Sequence, residues 1–135
     1  MDTITEPTRQ IPVADEVDLC VVGGSCTGLF AAVSAARLGA RVAIVESNGF
    51  FGGSATASLV NVWHSQFDTT GQQRIIAGLT LETVDRLDRR QAVHFFHPAN
   101  ETRYTVLNTE ELKIELDQLA LDAGIRPFLH AHFAA

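Results

Sequence analysis

The chain is poor in cysteine: Cys20 and Cys26 are the only two in 135 residues. Two cysteines without framework spacing exclude a disulfide-stapled secreted domain and fit a reducing compartment, so a cytoplasmic protein is expected. Basic charge is also scarce. Ten Lys and Arg stand against 16 Asp and Glu, Lys113 is the single lysine, and no basic run occurs. The net charge of −6 speaks against nucleic acid and anionic membranes as partners. No apolar stretch reaches the roughly 20 residues that a membrane helix needs. The first 16 residues carry Pro7 and Pro12 and the acids Asp2, Glu6, Asp15 and Glu16. They hold no apolar run for a signal peptide and too much negative charge for a mitochondrial presequence. Residues 1–16 are therefore expected to be a mobile tail. Repeats and low-complexity tracts are absent.

What is present begins at Val17. Leu19 to Val22 is an unbroken apolar run, which suits a central parallel strand covered on both faces. Gly23 follows, where a tight turn calls for a positive φ. A helix is expected from Thr27 to Leu38, stopped by Gly39. Its interior is rich in alanine, so it can lie close to a sheet. A second apolar run, Val42 to Val45, ends at Glu46. Strand, glycine turn, helix, strand and terminal acid in this order are the layout of a dinucleotide-binding βαβ unit. The fold class expected is α/β and Rossmann-like.

The free N–H groups at the start of that helix, with the positive end of its dipole, favour an anion. Gly23, Gly24, Ser25, Cys26, Thr27 and Gly28 are thus the candidate pyrophosphate contacts. Glu46, with Ser47 beside it, is placed to accept hydrogen bonds from a ribose diol, and its charge disfavours a 2′-phosphate. Ser25 stands where the Gly-x-Gly-x-x-Gly fingerprint has its middle glycine. It adds a side chain where space is short, though its hydroxyl can donate to a phosphate oxygen. Cys20 reads as a small buried hydrophobe. Cys26 lies near a helix N-terminus, which lowers a thiol pKa; it is read as a steric choice beside the cofactor rather than a nucleophile.

Val17 to Glu46, followed by Gly49-Phe50-Phe51-Gly52-Gly53-Ser54-Ala55-Thr56, resembles the N-terminus of the FAD-dependent oxidoreductase family with a glutathione-reductase-type FAD domain. The resemblance implies FAD as cofactor. It also implies that Gly52, Gly53 and Thr56 line the pyrophosphate and the approach to the flavin. The implied reaction is hydride or electron transfer between a small organic substrate and FAD. The flavoprotein disulfide reductases are excluded, because Ser54 to Ser58 contains no cysteine pair. Family members need several hundred residues, so the chain is expected to be the N-terminal portion of a longer enzyme or a truncated reading frame. An NAD-dependent dehydrogenase and a non-catalytic nucleotide-binding module are the alternatives.

Residues 17–58 are thus expected to form the FAD-binding βαβ unit with its glycine pair. Residues 59–107 read as an insertion. Leu59 to Trp63 is extended, Ile76, Thr80, Val84 and Leu87 recur at helical spacing over 75–90, and Val93–His97 and Arg103–Leu107 form a hairpin about Pro98–Glu101. Residues 108–135 return to the FAD-binding domain. Asn108 caps a helix, with Glu111 reaching back in a capping box. Leu112, Leu116, Leu119, Ala120 and Ala123 form its buried stripe and Gly124 ends it. A third strand covers Arg126 to Phe133. Of the five histidines, His94 and His97 point to opposite strand faces. His130 and His132 share a face without other ligands, so no metal site is expected. His64, after Trp63, is the candidate acid or base for a substrate hydroxyl; the competing reading is an ordinary loop histidine.

Overall fold

The structure, a computed structural model, describes residues 2–4, 7–8, 10–96 and 104–134. The first unit is β1 (Leu19–Val22), α1 (Cys26–Arg37) and β2 (Val42–Val45). β1 and β2 run parallel, with Leu19 opposite Val42 and Val22 opposite Val45. Gly39 ends the helix region at φ +96, a conformation that side chains resist. Its N–H returns to the Ala36 carbonyl at 2.9 Å.

Four further elements, β3 (Val62–Trp63), α2 (Leu79–Arg89), β4 (Val93–Phe96) and β5 (Tyr104–Leu107), precede α3 (Thr109–Asp122) and β6 (Arg126–Phe128). β6 joins β2 in parallel and gives the order β1-β2-β6. The second sheet is antiparallel, in the order β3-β5-β4. The turn expected at Pro98–Glu101 and the strand ends His97 and Arg103 lie outside the described residues.

The core sits between the parallel sheet and its helices. Leu29, Ala32 and Val33 of α1 meet Val42 and Ile44 of β2, and Leu112, Leu116, Leu119 and Ala120 of α3 close the cluster. α3 packs against both α1 and α2. Burying each such leucine stabilises by about 1.5–3 kcal/mol relative to leaving it exposed.

Several expectations are corrected. Among the described residues β1 stands at one end of the order β1-β2-β6, with Cys20 exposed, not buried as expected, and Val22 57% exposed. A continuous apolar run records that both faces avoid water somewhere, not which elements cover them. The α2 helix starts at Leu79 because Gly78 at φ +65 and ψ −135 breaks the helical path. Ile76 therefore falls outside it, its N–H held by the Gln66 carbonyl. The capping box is half made. Asn108 Oδ1 accepts from the Glu110 and Glu111 amides, but the Glu111 carboxylate pairs with Arg90 at 2.6 Å. A charged partner offers a stronger hydrogen bond than a neutral amide, and the Asn108 N–H goes to the Ala92 carbonyl instead. Ala123 is only half-buried. β6 stops at Phe128, so His130 and His132 share no strand face. His130 takes φ +52, and its N–H donates to the Asn48 carbonyl.

One ion network braces the helices. Glu82 of α2 takes two hydrogen bonds from Arg37 of α1, at 2.7 and 2.8 Å, and others from Arg86. Arg86 in turn reaches Asp122 of α3. Arg37 chiefly, with Arg86, holds the Glu82 carboxyl down at about 2 against the opposing effect of burial. A depressed carboxyl contributes its stability above the unfolded value and loses it as pH falls through the folded one. Here the window runs from about 4.5 down to about 2. Glu82→Gln is expected to cost about 1 kcal/mol at pH 7 and to flatten acid unfolding across that window, measured by urea denaturation at several pH values.

Candidate dinucleotide-binding site

The site grows from the turn after β1. The Gly23 N–H donates to the Val45 carbonyl at 2.8 Å, and Gly23 takes φ +101, as the sequence predicts. Gly24 is buried against Phe51 and Glu46, where an added Cβ would stand 2.5 Å from the Phe51 ring. Gly28 lies in the first turn of α1, and a Cβ there would overlap the Gly23 carbonyl oxygen. The helix thus starts directly on the turn.

Ser25 is the N-cap of α1, and its Oγ accepts from the Gly28 N–H at 3.2 Å. Its side chain is exposed. The crowding expected at this position is relieved from the other side: a Cβ on Gly53 would stand 3.0 Å from Ser25 Cβ. Cys26 and Thr27 occupy the first two helical positions, whose N–H groups have no intrahelical acceptor.

The second glycine segment is fastened onto the first. The Gly52 N–H donates to the Gly24 carbonyl at 2.8 Å, and Cys26 Sγ donates to the Gly52 carbonyl at 3.5 Å. Gly52 takes φ +115, and a Cβ there would meet Thr56 at 2.5 Å. Thr56 is turned inward, 1% exposed, with its hydroxyl donating to the Phe51 carbonyl at 2.8 Å. Burial pushes the Cys26 thiol up to about 11, its own backbone amide opposing in part. The lowered value expected from the helix terminus is thereby overturned.

Glu46 is buried at the end of β2. Its Oε2 accepts from the Gly24 N–H at 2.6 Å. Its Oε1 accepts from Ser47 Oγ at 3.0 Å and from Asn48 N and Nδ2, both at 2.7 Å. Burial opposes the charge, but the amides of Asn48 and Gly24, then the side chains of Ser47 and Asn48, hold the carboxyl below its usual range. Glu46 therefore ties the end of β2 to the glycine turn. Asn48 and Phe51 complete this arrangement and were not singled out in the sequence: Asn48 bonds Glu46 two residues away, whereas Phe51 acts by tertiary contact with Gly24. Gly49 carries the His130 imidazole against its face, where a Cβ would lie 2.6 Å from Nε2.

His64 is separate from this ledge. It follows β3, is exposed, and stands at the rim of a cavity of about 270 Å³ between α2 and the second sheet. Among the described residues no three His, Cys, Asp or Glu side chains group as metal ligands. No helix among them is long and apolar enough to cross a membrane.

Comparison with known proteins agrees with this geometry. Residues 18–135 match the family model described as FAD dependent oxidoreductase. A coproporphyrinogen III oxidase of Propionibacterium freudenreichii subsp. freudenreichii is 44% identical over 59 residues, covering 38% of this chain and 11% of that protein. Among solved structures, THI4 of Thermovibrio ammonificans is 26% identical with a TM-score of 0.53, over 84% of this chain and 38% of that one. The p-nitrophenol 4-monooxygenase PnpA of Pseudomonas putida DLL-E4 shares the fold at 16% identity and a TM-score of 0.52, over 83% of this chain and 31% of that one. The chain thus spans well under half the length of these relatives. Its strand–turn–helix–strand unit and its match over residues 18–135 place it in the FAD-dependent oxidoreductase family, whose cofactor is FAD.

Proposed function

We propose that this chain holds FAD for hydride or electron transfer with a small organic substrate, working in the cytoplasm without nucleic acid or membrane partners. The carrying observation is the double glycine ledge, in which Gly52 is hydrogen-bonded to Gly24 beside the N-terminus of α1. Gly24, Gly28 and Gly53 lack the Cβ that would collide with Phe51 and Glu46, the Gly23 carbonyl and Ser25, so the two segments close together around the helix N-terminus whose free N–H groups suit a pyrophosphate. The residues present fit that group. Gly23 to Gly28, Ser25 included, would hold the pyrophosphate, with the Cys26 and Thr27 amides pointing to it. Gly52 and Gly53 would face it from the second segment. Thr56 would act from behind, by fixing Phe51 and the Gly52 turn. Glu46 already accepts from four protein donors, three on Oε1 and one on Oε2, so Oε2 keeps one acceptor site. A ribose hydroxyl would donate to Oε2 beside the Gly24 amide, or take the place of the Ser47 hydroxyl or the Asn48 side-chain amide on Oε1.

When bound, FAD supplies the redox chemistry and the protein supplies position and electrostatics. Glu46 keeps the ledge charged and ordered. Residues 59–107 would build the substrate side, between the FAD-binding segments 17–58 and 108–135. His64, at the mouth of the cavity there, would act as acid or base toward a substrate hydroxyl. The test is a titration of the purified chain with FAD, followed by desalting and a visible spectrum, with NAD in parallel. A retained flavin band is expected. Binding of NAD with no retained flavin would instead favour the NAD-dependent dehydrogenase.

A further inference from the structure

The cavity beside His64 has walls and a charge pattern that the FAD reading does not use. Leu81 and Val84 of α2 form one wall, and the cross-strand neighbours Phe95 of β4 and Thr105 of β5 form the other, with Tyr104 at its edge. Tyr104 stacks on its cross-strand partner Phe96, ring centroids 4.8 Å apart and interplanar angle 25°, on the sheet face opposite to Phe95 and Thr105. The volume is about 270 Å³. An apolar cavity of about 150 Å³ takes up benzene, so this one has room for a single ring and one substituent.

Two charged side chains of opposite sign also line it, Arg74 and Asp85. The Arg74 guanidinium lies over the Phe67 ring at 5.1 Å. None of the ion pairs among the described residues uses Arg74. Asp85 is likewise absent from them, and its backbone carbonyl accepts from Arg89. A guanidinium held by a ring face and lacking a carboxylate is suited to a planar anion, which it can meet with two parallel hydrogen bonds. Asp85 in the same lining disfavours a second negative charge, and with it a phosphate dianion or a dicarboxylate. Apolar walls with a few convergent polar groups are the usual character of a small-molecule site.

We propose that this cavity binds a small aromatic monocarboxylate, its ring between α2 and the Phe95–Thr105 wall and its carboxylate on Arg74. This inference deepens the proposed function, since it rests on segment 59–107 being the substrate side. His64 then stands at the rim beside the ring substituent.

The experiment is calorimetric titration of the full chain with benzoate, and with benzamide as its uncharged isostere. Trp63, the only tryptophan and the neighbour of His64, serves as a fluorescence reporter. FAD affinity is measured on the same samples. Benzoate is expected to bind at least about tenfold more tightly than benzamide, and Arg74→Ala is expected to remove that preference. Leu81→Phe, which fills the cavity, is expected to abolish binding of both while leaving FAD affinity unchanged. Equal binding of the two probes irrespective of Arg74, or no benzoate binding at millimolar concentration, would overturn the proposal. FAD retained without benzoate binding sinks the cavity alone; benzoate bound without FAD sinks the flavin reading alone.

Discussion

Gly28→Ala is expected to lower the melting temperature by ~10 °C and to weaken FAD binding by at least about tenfold. The reason is space rather than backbone conformation. Gly28 sits in the first turn of α1, and its missing Cβ is the position that the Gly23 carbonyl oxygen occupies. Neither partner can yield cheaply. The carbonyl belongs to the turn that β1 enters, and the helix is anchored by Ser25 at its N-cap. Overpacking of this kind costs about 1–3 kcal/mol or more. Gly23→Ala makes an instructive pair. Nothing lies within 4 Å of a Cβ there, but φ is +101, so its cost is backbone strain of about 1–2 kcal/mol. Calorimetric melting and FAD titration of both variants separate the two causes. A Gly28→Ala protein that melts and binds like the parent would refute the close seating of α1 on the turn.

Glu46→Gln is the second large effect. The carboxylate accepts four hydrogen bonds, all from donors. A glutamine offers one oxygen and one NH2, so either the Gly24 amide or the Ser47–Asn48 group faces another donor. An unsatisfied buried donor costs about 1–3 kcal/mol, and the loss here falls on the hinge between β2 and the glycine turn. We expect lower stability by about 2–3 kcal/mol at pH 7 and FAD affinity reduced by at least about tenfold. The acid limb should change as well. Because the folded Glu46 carboxyl is held below its ordinary value of 4.5, its contribution is complete above that value and disappears as pH falls through the lower one. In the glutamine variant that component of acid unfolding should be missing. Denaturant titrations from pH 7 to pH 3 would measure it, and an unchanged pH profile would show that Glu46 carries no such load.

The two predictions differ in how far the sequence reaches them. Gly28 is legible because its role is local: α1 starts at Cys26, three residues after Gly23, and leaves no room for a side chain at Gly28. Ser25 is half legible. Its replacement of a glycine is plain in the sequence, but its capping of α1 and the compensation by Gly53 arise where two distant segments cross. Cys26 shows the limit most clearly. Helix position alone argues for a low pKa, whereas burial against the Gly52 segment drives it to about 11.

By itself the sequence determined the local path. The apolar runs, the turn at Gly23, the stop at Gly39, the Asn108 cap, the strand ending at Val45 and the strand starting at Arg126 follow from side-chain size, φ preference and hydrogen bonding within a few residues. The tertiary structure alone decided which faces are covered and what each polar group meets. It sent Glu111 to Arg90 rather than to its own cap. It brought the Gly24 amide, 22 residues away, to the Glu46 carboxylate and placed Arg74 over the Phe67 ring. Those outcomes depend on segments far apart in the chain arriving at one place, and burial and charge pairing act there whatever the local pattern prefers.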